Sequence, residues 1–394
     1  MKTIYLDHAA TTPVDPRVLD AMRPYHAEVF ANPSSLHAPG VAASNATMDA
    51  RKRIAALLNA HAEEVLFTSG GTESDNLAVV GIVRANAGKG RHVITTAIEH
   101  PAVLEPLRHL EKRREIELTV MPVDAEGLVD ADAVLDAVRS DTVLVSVMLA
   151  NNEIGTLQPV AEIGKGLLKF RKANAAALPY LHTDACQAAG VLDLDVEKLH
   201  VDLLTLNGSK IYGPKGVGML FVRRGVRLEP LVHGGGQERG LRSGTENVPG
   251  IIGLAKALEL AQAEKEGENA RLTALRDRMI EGILAIPKAR QNGHATKRLP
   301  NNVNVTFPDI EGEAAVLYLD AKGISASTGS ACASSSLDPS HVLLAIGLAP
   351  EAAHGSVRFT LGHSTTAEDI DTVIAAMPPI VERLRAISPI DISV

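Results

Sequence analysis

Leu203-Leu204-Thr205-Leu206-Asn207-Gly208-Ser209-Lys210-Ile211-Tyr212-Gly213-Pro214-Lys215-Gly216-Val217-Gly218-Met219-Leu220-Phe221-Val222 holds two short apolar runs around a lysine-bearing, Gly- and Pro-rich loop. Each run has the length and the turn-residue boundaries of a buried strand. A lysine at the end of an apolar strand can be desolvated, which lowers its pKa and makes it a Schiff-base nucleophile. Read alone, though, Lys210 is better explained as a surface lysine in a Gly-rich turn.

Outward from this stretch the same texture repeats. Residues 65–68, 92–96, 118–121, 143–147 and 180–182 read as further buried strands. Helical patterns at 43–58, 72–87, 103–115, 131–138 and 160–173 lie between them. Strands alternating with helices predict an α/β fold, with a mostly parallel seven-stranded sheet covered on both faces. Past residue 250 the pattern changes. A long helix is expected over 251–286, stopped by Pro287, followed by segments 302–306, 314–320, 357–360 and a helix over 367–387. These predict a smaller α+β domain. The expected division is a large domain over 14–260 and a small one from 1–13 and 261–394.

Composition narrows the function classes. The chain has 394 residues, enough for two such domains. Aromatics are 3%, Trp is absent and the net charge is −8, a poor match to nucleic-acid or anionic-membrane binding. The basic runs 51–53 and 112–114 read as solvated helix faces. Two cysteines, Cys186 and Cys332, provide neither a disulfide framework nor a Cys-rich metal site. No apolar run reaches membrane-spanning length, and Asp7 interrupts the only apolar start. A cytoplasmic protein with reduced thiols is the expectation.

Several strand ends carry polar groups. Leu181-His182-Thr183-Asp184-Ala185-Cys186-Gln187 ends a strand in a carboxylate. Pyridoxal phosphate (PLP) needs such an acid on its pyridinium nitrogen to act as an electron sink. An Asp at a parallel strand end lies in the usual ligand crevice; the alternative is a helix N-cap. Thr68-Ser69-Gly70-Gly71-Thr72-Glu73-Ser74 joins a strand to a helix. Its amides form an anion site, or simply a Gly turn with Thr capping. Glu99-His100-Pro101 and Asn151-Asn152-Glu153 follow two other strands. Each is weak alone, but together they aim polar groups at one crevice. Arg358, within the apolar run 357–360, needs a partner: a substrate carboxylate or an internal salt bridge. Cys332 sits among small polar residues, 327–336, as in an accessible loop, whereas Cys186 beside a strand reads as a packing residue.

In order along the chain, these segments resemble the cysteine desulfurases, which are fold-type I PLP enzymes. The matching pieces include Tyr5–Pro13, the Asn32-Pro33-Ser34-Ser35 loop, Thr68–Ser74, Glu99-His100, Asn151–Gly155, Asp184–Gln187, Lys210–Gly218, Arg242-Ser243-Gly244-Thr245, Gly329–Ser336 and Val357–Thr360. The stretch around Cys332 resembles the group with the longer cysteine loop. The resemblance departs at Ser209, where the family usually has His, and at His363, where many members have Arg.

The resemblance implies roles. Lys210 would hold PLP covalently, Asp184 would pair with the ring nitrogen, and Gln187 with the phenolic oxygen. His100 would stack on the ring and move protons, and Asn152 would lie near the phenolic oxygen and substrate. Asn207 would help bind the cofactor, while Gly71, Thr72 and Ser209 would line its phosphate. Thr245 would reach the phosphate of a neighbouring subunit, so a homodimer is expected. Arg358 and Asn32 would hold the carboxylate of L-cysteine. Cys332 would take the sulfur as a persulfide, leaving alanine, for an iron–sulfur scaffold or thiolation carrier. Selenocysteine lysis and class V transamination are the alternatives on the same frame.

Overall fold

The structure, a computed structural model, describes residues 3–329 and 338–388. Its strands in chain order are β1 (Ile4–Tyr5), β2 (Val65–Thr68), β3 (His92–Thr96), β4 (Glu117–Met121), β5 (Thr142–Ser146), β6 (Tyr180–Asp184), β7 (Leu203–Asn207), β8 (Gly218–Val222), β9 (Arg290–Gln291), β10 (Asn302–Thr306), β11 (Ile324–Ser325) and β12 (Ser356–Thr360). The central sheet is seven-stranded, ordered β2-β8-β7-β6-β5-β3-β4. Strand β8 runs antiparallel to β2 and β7; the other neighbours are parallel. The α/β class and the mostly parallel sheet expected from the sequence are thus observed.

Period-two alternation sends neighbouring side chains to opposite faces. Phe67, Leu181, Leu204 and Phe221 pack into one core with helices Ala38–Leu57 and Val160–Ala173 and the start of Val248–Leu284. Leu66, Leu144, Leu203 and Leu220 face the other way, against helices Gly71–Ala85 and Pro101–Lys112. Both faces being covered explains why these strands read as continuous apolar runs.

A separate core gathers Leu6, Leu272, Met279, Val303, Val305, Phe359 and Ile370. Its sheet is β12-β10-β9, and the last helix, Ala367–Ile387, packs on it. Helix Val248–Leu284 contributes Ile251, Leu254 and Leu258 to the first core and Leu272, Met279 and Ile283 to this one. The chain's beginning joins here too. Strand β1 pairs in parallel with β11, and Asp7 bridges to Thr360. Residues 314–320 lie in helix Gly312–Asp320. The two-residue strands β1, β9 and β11 and helices His341–Ala345 and Pro350–His354 have no counterpart in the sequence pattern.

Candidate active site

Strand β3 leads outward to β4, whereas β5 leads the opposite way to β6 and β7. Chain direction therefore diverges at the β3–β5 pair, and the loops after these strands frame a crevice. A cavity of about 390 Å³ lies there. Gly71, Thr72, His100, Asn152, Asp184, Gln187, Asn207, Lys210 and Arg358 all line it. Of the residues expected from the sequence, these are the ones the fold brings together.

Lys210 ends a 3-10 turn, Gly208–Lys210, directly after β7, and its Nζ donates to the Ala10 carbonyl. Asp184 is the last residue of β6 and accepts the Cys186 amide at 2.8 Å. Turns follow it, not a helix, so its position is not that of an N-cap. His100 does cap a helix: its Nδ1 accepts from the Ala102 amide at 3.1 Å. The neutral ring therefore carries its proton on Nε2. Gln187 Nε2 donates to the Ala9 carbonyl at 3.0 Å, tying the cavity wall to the N-terminal segment.

Arg358 is buried in β12. Nη2 meets Asp7 Oδ1 at 2.8 Å, and Nη1 donates to the carbonyls of Asn152 and Gly329. The internal salt bridge of the sequence reading therefore exists. Nε has no hydrogen-bond partner, which leaves a donor for a carboxylate.

Three buried ionisable groups lie beneath or beside the cavity. Asp75, four residues after Gly71 in the same helix, also lines it. Burial, then the charge of Asp184, push its carboxyl well above the usual range, and its Oδ1 lacks a hydrogen-bond partner. That Oδ1 lies 3.6 Å from His182 Nε2. His182 is held between the hydroxyls of Ser146 and Thr205, and burial lowers its pKa to about 4. Glu99 accepts from Thr96 Oγ1 and the Met148 amide, while burial raises its pKa to about 8. An acid inside the apolar helix run 74–83 was the available sequence signal for Asp75. Cys186 is buried as a packing residue should be, yet it is also cavity wall. Burial and Asp184 push its thiol up, so it stays neutral and poorly nucleophilic.

Other expected residues lie elsewhere. Ser209 is not in the lining; its carbonyl receives the Thr12 amide and hydroxyl. Asn32 is exposed, with Oδ1 taken by the Ser34 amide at 2.9 Å. Thr245 is also exposed and away from this chain's cavity. Cys332 lies outside the described residues.

The cavity fits PLP. It offers an amine at Lys210, an acid at Asp184 and the first turn of helix Gly71–Ala85, whose N–H groups can receive a phosphate. Asn207 has a buried Oδ1 without a partner. A Cβ on Gly71 would stand 2.9 Å from Cys186 Sγ and 3.2 Å from Asn207 Nδ2, so the bare backbone is the cradle.

Comparison with known proteins follows the same lines. Residues 4–373 match the family Aminotransferase class-V. Cysteine desulfurase IscS of Methanosarcina thermophila is 54% identical over 389 residues, spanning 99% of this chain and 94% of that one. Cysteine desulfurase IscS 1 of Archaeoglobus fulgidus is 50% identical over 386 residues, with 98% and 99% covered. Among solved structures, a NifS-like protein superposes with a TM-score of 0.89 at 37% identity, covering 98% of this chain and 100% of the other. SspA in complex with cysteine gives 0.80 at 37% identity, with 91% and 99% covered.

Proposed function

From the premise that the chain belongs to the class-V aminotransferase family, and within it to the cysteine desulfurases, we propose that it converts L-cysteine to L-alanine with PLP held at Lys210. The observation that carries this reading is the convergence of Lys210, Asp184 and Arg358 on one cavity of about 390 Å³. When bound, the cofactor supplies an electron sink for charge developing at the substrate Cα.

The chain's own residues do the rest. Asp184 pairs with the ring nitrogen and keeps it protonated. Gly71 and Thr72 hold the phosphate on backbone N–H groups. Arg358 Nε donates to the substrate carboxylate, while Asp7 and two carbonyls keep the guanidinium in one orientation. Lys210 Nζ takes the Cα proton and returns it, with His100 Nε2–H as a second proton site. The Cys332 thiolate attacks the substrate sulfur; an S–S bond forms, the C–S bond breaks with its electron pair left on carbon, and a proton completes alanine. The enzyme keeps the sulfur as a persulfide on Cys332, and an acceptor protein, an iron–sulfur scaffold or thiolation carrier, removes it. Exposed Thr245 acts across a homodimer, on the partner's phosphate site. The protein works in the cytoplasm; no helix among the described residues is long and apolar enough to cross a membrane.

The test is product analysis of purified, PLP-loaded protein with L-cysteine and a thiol reductant. Alanine and sulfide in equal amounts are expected. An oxo-acid formed in place of alanine would instead identify a transaminase, and turnover confined to selenocysteine would identify a selenocysteine lyase.

A further inference from the structure

The phosphate cradle has a like charge next to it. Glu73 follows Thr72 in the first turn of helix Gly71–Ala85. Its Oε2 accepts from the Ser69 amide and hydroxyl, which bends the carboxylate back over the loop that leads into the helix. A carboxylate here favours the helix end but repels a phosphate at the same amides. Arg242 answers it, with Nε 2.9 Å from Glu73 Oε1 and Nη2 3.4 Å from Oε2, both side chains half-buried. Burial pulls the Glu73 carboxyl upward, but the bonds from Arg242 and Ser69 outweigh it and hold the group below its usual value.

Arg242 belongs to a closed loop. Gln237 Oε1 receives the Gly244 amide at 2.9 Å, so residues 237–244 form a ring that ends just before Thr245. The far side of the ring is anchored separately. Glu238 and Arg239 both adopt positive φ, 46° and 60°, conformations that non-glycine residues keep only when their surroundings impose them. Here the surroundings are the Glu238 carboxylate buried against Arg51, at 2.6 Å and 2.9 Å. The loop is thus held by two ion pairs, Arg51–Glu238 at β2 and Glu73–Arg242 at the cradle.

We infer that Glu73 and Arg242 are a positioning pair for the cofactor phosphate: Arg242 cancels the charge beside Gly71 and Thr72 and fixes the 237–244 loop, with Thr245 behind it, to that corner. This rests on the reading that the phosphate sits at Gly71 and Thr72. A merely structural pair would lose binding equally when either member is removed and would not recover when both are. A charge-cancelling pair behaves differently, because Arg242→Met leaves Glu73 facing the phosphate while the double variant does not.

The experiment uses the full chain with Glu73→Gln, Arg242→Met and the double substitution. It measures PLP dissociation by the absorbance of the bound cofactor, binding of inorganic phosphate to cofactor-free protein, and the thermal midpoint of that cofactor-free form. Arg242→Met should weaken both ligands about tenfold, the order expected for an uncompensated like charge a few ångströms from an anion at close to the dielectric of water. Glu73→Gln, which removes the repelling charge and keeps Arg242, should not weaken them, and the double variant should bind more tightly than Arg242→Met. The three cofactor-free midpoints should agree. Unchanged binding in Arg242→Met, or a double variant as weak as Arg242→Met, would overturn the inference. If wild-type protein bound PLP but released no alanine, the desulfurase reading would fall, while the phosphate measurements would still decide the pair.

Discussion

Arg51→Met should be among the most destabilising single changes outside the apolar cores. β2 is an edge strand, so its outward backbone groups lack a neighbouring strand. The buried ion pair stands in for one: Glu238 Oε2 receives the Phe67 amide at 3.0 Å, and the Val65 carbonyl receives Arg51 Nη1 at 2.5 Å and Arg239 Nη2 at 3.1 Å. The guanidinium also lies 4.6 Å over the Phe67 ring. Side-chain exposures of 9% and 4% leave almost no solvent to screen the pair. Methionine keeps the apolar stem but strands the Glu238 carboxylate with only the Phe67 amide. Breaking one side of a buried pair costs about 3–5 kcal/mol. At roughly 2–4 °C per kcal/mol for a unit of this size, the midpoint should fall by about 10 °C. Thermal circular dichroism of the cofactor-free protein measures it. Arg51→Met with Glu238→Leu removes both charges and should recover part of the loss, though not all, because the Phe67 amide then has no acceptor. A single variant within about 2 °C of wild type would refute the idea that this pair closes the sheet edge.

Four further outcomes are expected. Glu99 has its folded pKa raised to about 8, so the stability tied to its neutral form is complete below about 4.5 and is lost as pH rises through 8; Glu99→Gln should gain on wild type in melting midpoint from pH 5 to 9, and a pH-independent difference would count against the assignment. Gly71→Ala should cost about 1–3 kcal/mol in cofactor binding through overpacking against Cys186 Sγ at 2.9 Å, measured by PLP titration. Cys332→Ala should keep the cofactor absorbance and lose alanine release, whereas Lys210→Ala should lose covalent attachment of the cofactor; normal turnover in the cysteine variant would exclude a persulfide at that position.

The meeting of Lys210, Asp184 and His100 was legible in the sequence because an α/β pattern places the C-terminal ends of the parallel strands at one edge. A polar residue following an apolar run then has a known address. Asp75 was not legible in the same way. Its meaning depends on Asp184 lying nearby, a contact made through the sheet and not along the chain. Asp7 pairs with Arg358 across 351 residues, and no local pattern announces such a pairing. The two-residue strands β1 and β11 exist because the partner supplies half the hydrogen bonds, while their own residues carry too short a period to read. Thr245 and Asn32 are exposed in the single chain and outside the cavity lining, so a role for Thr245 across a subunit boundary, or for Asn32 at the substrate carboxylate, can be read only from the resemblance.

The pairing of the chain's beginning with its end sets an order of events during synthesis. Strand β1 has no strand to pair with until Ile324 and Ser325 exist, and the bridge from Asp7 and the ring bond from His8 both wait for Thr360. Ala9 and Ala10, which wall the cavity and hold Gln187 and Lys210 by their carbonyls, are therefore made before the lysine strand but settle only after Thr360 exists. At about 5–20 residues per second, the ribosome leaves that wall open for roughly 8–30 seconds after the lysine strand has been made. The nascent sheet thus spends that interval with its crevice facing the cell, and the finished C-terminal half arrives as the door that shuts it.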